Sequence, residues 1–288
     1  VPEDIEIAYR YIRGLAGRAR AFPADAAEAR ARLEAGNAAF AELLETLAQR
    51  VSRGRRIEIA LDARDVGIDA PEFAGVPEQR PFVAVLGCSD ARVPTELLFG
   101  EGPNDMFVVR VAGNVLGQDV LGSLRYASQH LPLRCMMVLG HSGCGAVTAA
   151  VDLFLTPSRM LELATEHAQR GLLAPMVLMV QAAARLLAGA HGPEVERRPG
   201  WRAALIETTV ALSAAAAAHS IEQDLERREG PAVPVLHGVY VIGSRLVCAA
   251  DGEVGERVGL APAPRDQAGF VRDFGAFVRA KRIVGLLG

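Results

Sequence analysis

The chain is 288 residues long, half of them apolar and 23% charged, which excludes disorder over most of its length and supplies enough apolar side chain for a sizeable core. Lys and Arg total 31 against 34 Asp and Glu, so the formal charge is -3 and there is no basic footprint for nucleic acid or an anionic membrane surface. A small-molecule partner is the expectation that remains.

In chain order, a short helical pattern is expected over Ile5 to Leu15, ahead of a break at Phe22 and Pro23. From Asp25 to Val51, the residues Leu33, Phe40, Leu43, Leu44, Leu47 and Val51 recur at spacings close to 3, 4 and 7 with Arg and Glu between them, the pattern of an amphipathic helix. Residues 1–53 are accordingly expected to form a helical arm that extends away from the core. Gly54 to Gln79 is polar, contains proline and has no period, so it reads as a connection. Glu3, Asp4 and Glu6 stand where a secretion signal would carry positive charge, and no apolar run follows, so the expected location is cytoplasmic.

The character then changes. Pro81 to Gly87, Met106 to Val111 and Cys135 to Gly140 are short, continuous apolar runs closed by glycine or loop residues, as buried parallel strands are. Helical patterns over Asp119 to His130 and Ala146 to Leu155 alternate with them, which predicts an α/β fold with a central, mostly parallel sheet and flanking helices. Residues 156–205 read as mixed helix and loop, with a polar surface stretch from Gly189 to Gly200. The most apolar segment, Gly171 to Ala190, is interrupted by Pro175, Gln181 and Arg185, so no membrane span is expected. An alanine-rich helix is predicted from Ile206 to Arg228, then an edge hairpin of Val233 to Ile242 and Arg245 to Ala249 turned at Gly243 and Ser244, then one helix from Phe270 to Val284. This divides the chain into the arm, an α/β core over 54–255 and a helical tail over 256–288.

Four cysteines stand at 88, 135, 144 and 248, with no CxxC pair. Cys135 and Cys248 sit inside apolar strand patterns and read as core. Cys88 and Cys144 each follow a glycine where a strand ends, which is where α/β proteins place ligands. Together with His141 of the His-x-x-Cys turn they make a borderline-soft set of three donors that suits Zn²⁺ and leaves a fourth position open. Asp90 and Arg92, two residues apart, can pair on one face, so that the guanidinium holds the carboxylate to orient water activated at the metal. Gly143 and Gly145 permit close backbone approach, and a helix starting near Gly145 would aim its positive end at the Cys144 thiolate.

Three segments, Gln79 to Pro94 (QRPFVAVLGCSDARVP), Asn104 to Val115 (NDMFVVRVAGNV) and Gly140 to Val147 (GHSGCGAV), resemble the β-class carbonic anhydrases. Gly36 with Asn37, and His237 to Tyr240, extend the likeness more weakly. The resemblance implies Cys88, His141 and Cys144 as zinc ligands, Asp90 and Arg92 as the catalytic pair, and Gln79, Phe107 and Tyr126 as substrate-binding residues, the last two walling a CO₂ pocket that is often completed across a dimer interface. It further implies reversible hydration of CO₂ to bicarbonate and a proton by a homodimer or higher homo-oligomer. Two alternatives stay open: a carbon disulfide or carbonyl sulfide hydrolase using the same zinc site, and a non-catalytic homologous domain of a larger protein. His130, His167, His191, His219 and His237 are equal candidates for proton transfer to solvent. Ala112 stands where plant-like members carry valine. Family members whose aspartate swings onto the metal carry a tryptophan three residues before the first cysteine. That position is Val85 here, while Arg110 and Tyr240 match the rest of that pocket, so an open site with Asp90 held by Arg92 is expected.

Overall fold

The computed structural model describes residues 6–12, 21–49, 56–62, 78–156, 158, 167–227 and 233–288. Strands β3 (Val83–Gly87), β4 (Met106–Arg110), β5 (Cys135–His141) and β6 (Val235–Val241) pair in parallel in the order β4-β3-β5-β6. The antiparallel hairpin partner β7 (Leu246–Asp251) follows β6, and β8 (Gly255–Val258) extends that edge, while β9 (Ala261–Pro262) pairs with the start of β6. The chain leaves β3 for β4 on one side and later continues into β5 on the other, so the crevice beyond the carboxyl ends of β3 and β5 is a topological switch point.

Helices cover both sheet faces, which is why β3 and β5 are apolar at every position. On one face Val83 and Val85 pack with Leu33 of α1 (Ala26–Gln49) and Phe99, which follows the short α2 (Thr95–Leu98). Asn37 ties α1 to the hairpin: its Oδ1 accepts from the Val247 N–H at 2.8 Å and its Nδ2 donates to the Arg245 carbonyl at 3.1 Å. The inner face of this helix is therefore buried against the sheet, with Ala29 and Leu33 fully enclosed. On the opposite face Ala84 and Leu86 pack with Leu124 of α3 (Gln118–His130) and with Ala214 of α6 (Trp201–Glu226). Helices α4 (Gly145–Leu155) and α5 (His167–His191) complete a further cluster with α6.

Several expectations need correction. Glu6–Ile12 is a strand, β1, paired in parallel with β2 (Arg56–Asp62), which lies inside the expected connection. Ile7, Tyr9 and Tyr11 alternate with Glu6, Ala8 and Arg10, a period of two that suits a strand once a partner is available. Val51 and residues 63–77 lie outside the described residues. Residues 167–191 form one helix that continues through Pro175. By length and composition alone α5 and α6 are long and apolar enough to cross a bilayer, at mean hydropathies of 1.7 and 1.3 over their most apolar stretches, a property that buried core helices share. Within the fold they carry Leu173, Met176, Val180 and Leu187, and Leu205, Val210 and Leu212, into the shared core.

The tail is two helices, α7 (Gln267–Phe277) and α8 (Lys281–Leu287), instead of one. A tight turn separates them, in which the Arg279 and Ala280 N–H groups donate three residues back and Ala280 is extended. The turn lets Phe274 and Phe277 on one side and Ile283 and Leu287 on the other enter the cluster that also contains Cys88 and Cys144. One uninterrupted helix would direct its apolar residues along a single straight stripe.

Candidate metal centre

Cys88 is the first residue beyond β3, His141 is the last of β5, and Cys144 stands at the N-cap of α4. Their ligand atoms all lie within 4.8 Å of one another, and all three residues are buried. The Nδ1 of His141 faces the Ser142 carbonyl at 3.1 Å, which fixes its proton there and leaves Nε2 as the free lone pair. That Nε2 is buried and has no hydrogen-bond partner, a costly arrangement unless a cation takes the lone pair.

The sulfurs are surrounded by donors. The Gly113 N–H donates to Cys88 Sγ at 3.2 Å, and the Ala146 and Val147 N–H groups at the start of α4 favour a thiolate at Cys144. The Cys144 hydrogen bond holds the Cys88 thiol well below its ordinary pKa, while that same bond to Cys88, together with burial, pushes the Cys144 thiol up. Two thiolates 4.8 Å apart or less repel one another, and a divalent cation between them removes that conflict. Donor chemistry, buried orphan nitrogen and spacing all fit zinc.

Asp90 is gripped by Arg92, whose Nε and Nη2 donate to its two carboxylate oxygens at 2.9 and 2.7 Å while the Arg92 N–H adds a third bond at 2.9 Å. The guanidinium thereby keeps Asp90 well below the usual carboxylate range. Asp90 Oδ2 lies 3.7 Å from His141 Nε2, beside the ligand set, and is bound to Arg92. Arg110 braces the same loop by donating to the carbonyls of Cys88 at 2.9 Å and Asp90 at 2.6 Å. Val85 and Tyr240 are buried together in the core beneath.

The other expected site residues are placed less centrally. Gln79 is exposed ahead of β3, and its neighbours are anchored by Asn104, which accepts from the Arg80 N–H at 2.9 Å and donates to the Glu78 carbonyl at 3.1 Å. Phe107 packs half-buried with the α3 cluster, a different cluster from that of Cys88 and Cys144, and Tyr126 on α3 is 50% exposed beside the His130 ring. Among the histidines, His237 is fully enclosed and burial pushes its pKa down to about 4, which removes it as a proton carrier at neutral pH. His191 and His219 are bonded to the carbonyls of Val278 and Pro264 at 2.7 and 2.8 Å, and the His167 side chain lies outside the described residues.

Glu207 was not anticipated. From α6 its Oε1 accepts the N–H of Gly143, between the two ligands of the His-x-x-Cys turn, at 2.8 Å. A signal was present, since Glu207 is the one charged residue between Arg202 and His219, in a stretch otherwise apolar or small. A carboxylate in such a helix calls for a buried partner.

The carbonic anhydrase family model matches residues 83–243. Over 74 residues the chain is 52% identical to a carbonic anhydrase of Mycolicibacterium smegmatis, a match covering 26% of this chain and 36% of that protein. Over 73 residues it is 49% identical to carbonic anhydrase 2 of Mycobacterium tuberculosis, covering 25% and 35%. The chain thus spans about a third of the length of these curated relatives. Among solved structures it is similar to the Coccomyxa β-carbonic anhydrase in complex with acetazolamide, at 26% identity and a TM-score of 0.47, over 59% of this chain and 72% of that one.

Proposed function

The chain belongs to the β-class carbonic anhydrase family, and from that premise we propose that it catalyses the reversible hydration of CO₂ to bicarbonate and a proton. The observation that carries the proposal is the close set of Cys88, His141 and Cys144 with a guanidinium-clamped carboxylate beside it. Cys88, His141 and Cys144 would hold zinc, which in such a site lowers the pKa of water towards about 7 and so supplies a nucleophile at neutral pH.

With both carboxylate oxygens engaged by Arg92, whose guanidinium favours the ionised form, the part of Asp90 is to accept a hydrogen bond and aim the attacking oxygen's lone pair. Arg92 prevents its rotation by occupying both oxygens. Gly113 stabilises the Cys88 thiolate through its N–H, and Arg110 holds the loop that joins that ligand to Asp90. The half-exposed Tyr126 and half-buried Phe107 support a homodimer or higher homo-oligomer, in which a second copy completes the apolar CO₂ wall and covers the exposed ring.

Stopped-flow CO₂ hydration on the purified protein tests this reading, with carbonyl sulfide and carbon disulfide turnover measured in parallel. Hydration that rises in proportion to zinc content is the expected result. Turnover of the sulfur compounds alone, or no turnover at full zinc occupancy, would transfer the assignment to one of the two alternatives.

A further inference from the structure

The buried carboxylate behind the His-x-x-Cys turn is part of a chain of charges that reaches the last helix. Glu207 uses Oε1 for the Gly143 N–H and gives Oε2 to Arg282 Nη1 of α8 at 2.7 Å. Arg282 is clamped from its other side by Glu256 of β8, with Nε donating at 2.9 and 3.1 Å and Nη2 at 2.7 Å. Its guanidinium also lies over the Phe277 ring, 5.8 Å from the centroid. All three side chains are largely withdrawn from water, at 11% exposure for Glu207, 14% for Glu256 and 22% for Arg282.

The helix that delivers Arg282 is tightly seated. A Cβ placed on Gly200, just before α6, would lie 1.6 Å from the Leu286 carbonyl oxygen, so α8 rests directly on the backbone at the start of the helix that carries Glu207. Both ends of the link are thereby fixed to the same core, with Ile283 and Leu287 of α8 fully buried in it. At the other end, Gly143 has a φ of +63°, its N–H is held by Glu207, and its carbonyl accepts from Arg92 Nη2 at 3.3 Å. The peptide groups that set the spacing of His141 and Cys144 are thus gripped from α6 on one side and by the Asp90-bound guanidinium on the other.

We propose that Glu207 and Arg282 are positioning residues of the metal centre, with the C-terminal helix acting through Arg282 and Glu207 to hold the His-x-x-Cys turn in its metal-ready shape. A carboxylate alone at position 207 would be a buried charge free to rotate, whereas one oriented by a doubly clamped guanidinium presents Oε1 in a single direction. The inference rests on the reading of Cys88, His141 and Cys144 as zinc ligands, and it assigns a role to the tail that the ligand motifs do not contain.

The test uses the full-length protein loaded with zinc, or with Co²⁺ as a spectroscopic substitute, and does not depend on turnover. Glu207→Ala and Arg282→Met are each expected to speed zinc transfer to a chromogenic chelator by about tenfold to a hundredfold. They are also expected to shift the thiolate-to-cobalt and ligand-field bands. The double variant should be no worse than the more severe single one, because both act through one link. Arg282→Lys, which keeps the charge, should recover part of the loss. A purely structural role would lower the melting temperature yet leave the cobalt spectrum and zinc release of the folded protein at parental values, and that result would overturn the proposal. If either truncation fails to fold, Glu256→Gln loosens Arg282 from its outer side and is expected to give a smaller acceleration in the same direction, and parental release there would also count against it. A parent protein that takes up neither metal would remove the metal centre itself, whereas a metal-binding parent with indifferent variants would remove only this inference.

Discussion

Strand β5 begins with one cysteine, Cys135, and leads to another three residues past its end, Cys144. Both are buried, at 0% and 1% exposure, so burial alone does not separate a core thiol from a ligand. Cys135 is surrounded by Val83, Leu236 and other apolar side chains, and burial pushes its thiol up to about 12. Cys144 faces the N–H groups that open α4 and shares its pocket with Cys88 and His141. Interior strand residues have their backbone donors committed to the ladder. Just past a strand end those donors turn towards side chains, and this is where the same atom type becomes chemically useful.

The widest separation between the two regions should come from Cys88→Ser against Cys135→Ser. The first is expected to lose most of its zinc and with it all hydration activity, because a neutral hydroxyl cannot replace thiolate charge, while the second keeps one zinc per chain. Elemental analysis reads the difference directly, and full zinc in Cys88→Ser would erase the distinction.

Within the strand-end region, Asp90→Asn and Arg92→Ala separate holding the metal from using it. Both should retain zinc and lose about 10- to 100-fold in kcat, since an amide can turn a donor towards the nucleophile and a freed carboxylate no longer aims it. Near-parental rates with normal zinc content would reduce the pair to an ordinary ion pair.

Histidine repeats the contrast along the sheet, His141 at the mouth of β5 and His237 in the interior of β6. Burial lowers the pKa of His237 from 6.5 to about 4, so between those values the unfolded chain binds a proton that the folded chain refuses. Stability should therefore be unaffected by His237 above pH 6.5 and fall as pH drops through this window, by about 3 kcal/mol when complete. Denaturant titrations at pH 7.5 and 4.5 on parent and His237→Gln measure it; an equal pH loss in both proteins would place the acid sensitivity elsewhere.

The smallest effect concerns the core thiol itself. Cys135→Ser should cost about 1–3 kcal/mol of stability, the penalty for enclosing a hydroxyl among apolar groups, with no change in the hydration rate per zinc. A rate change there would mean that the interior of β5 communicates with its end.

What the sequence determined by itself was local. Three apolar runs closed by glycine or loop residues marked three of the four parallel strands, and the positions of Cys88, His141 and Cys144 at or just beyond their ends pointed to the metal, because strand length, turn residues and ligand identity are all written within a few residues. The Asp90–Arg92 pair, two residues apart, was legible for the same reason. Tertiary structure decided what depends on distant partners. Ile7, Tyr9 and Tyr11 commit to a strand only against β2, fifty residues on. Continuation of α5 through Pro175 draws on packing against α4 and α6, which no local propensity encodes. Glu207 and Arg282, 75 residues apart, show as an unexplained acid in an apolar helix and an unremarked base near the end of the chain until the fold joins them behind Gly143. Hydrogen bonds and ion pairs act over about 3 Å, so their partners become known only when the chain has closed.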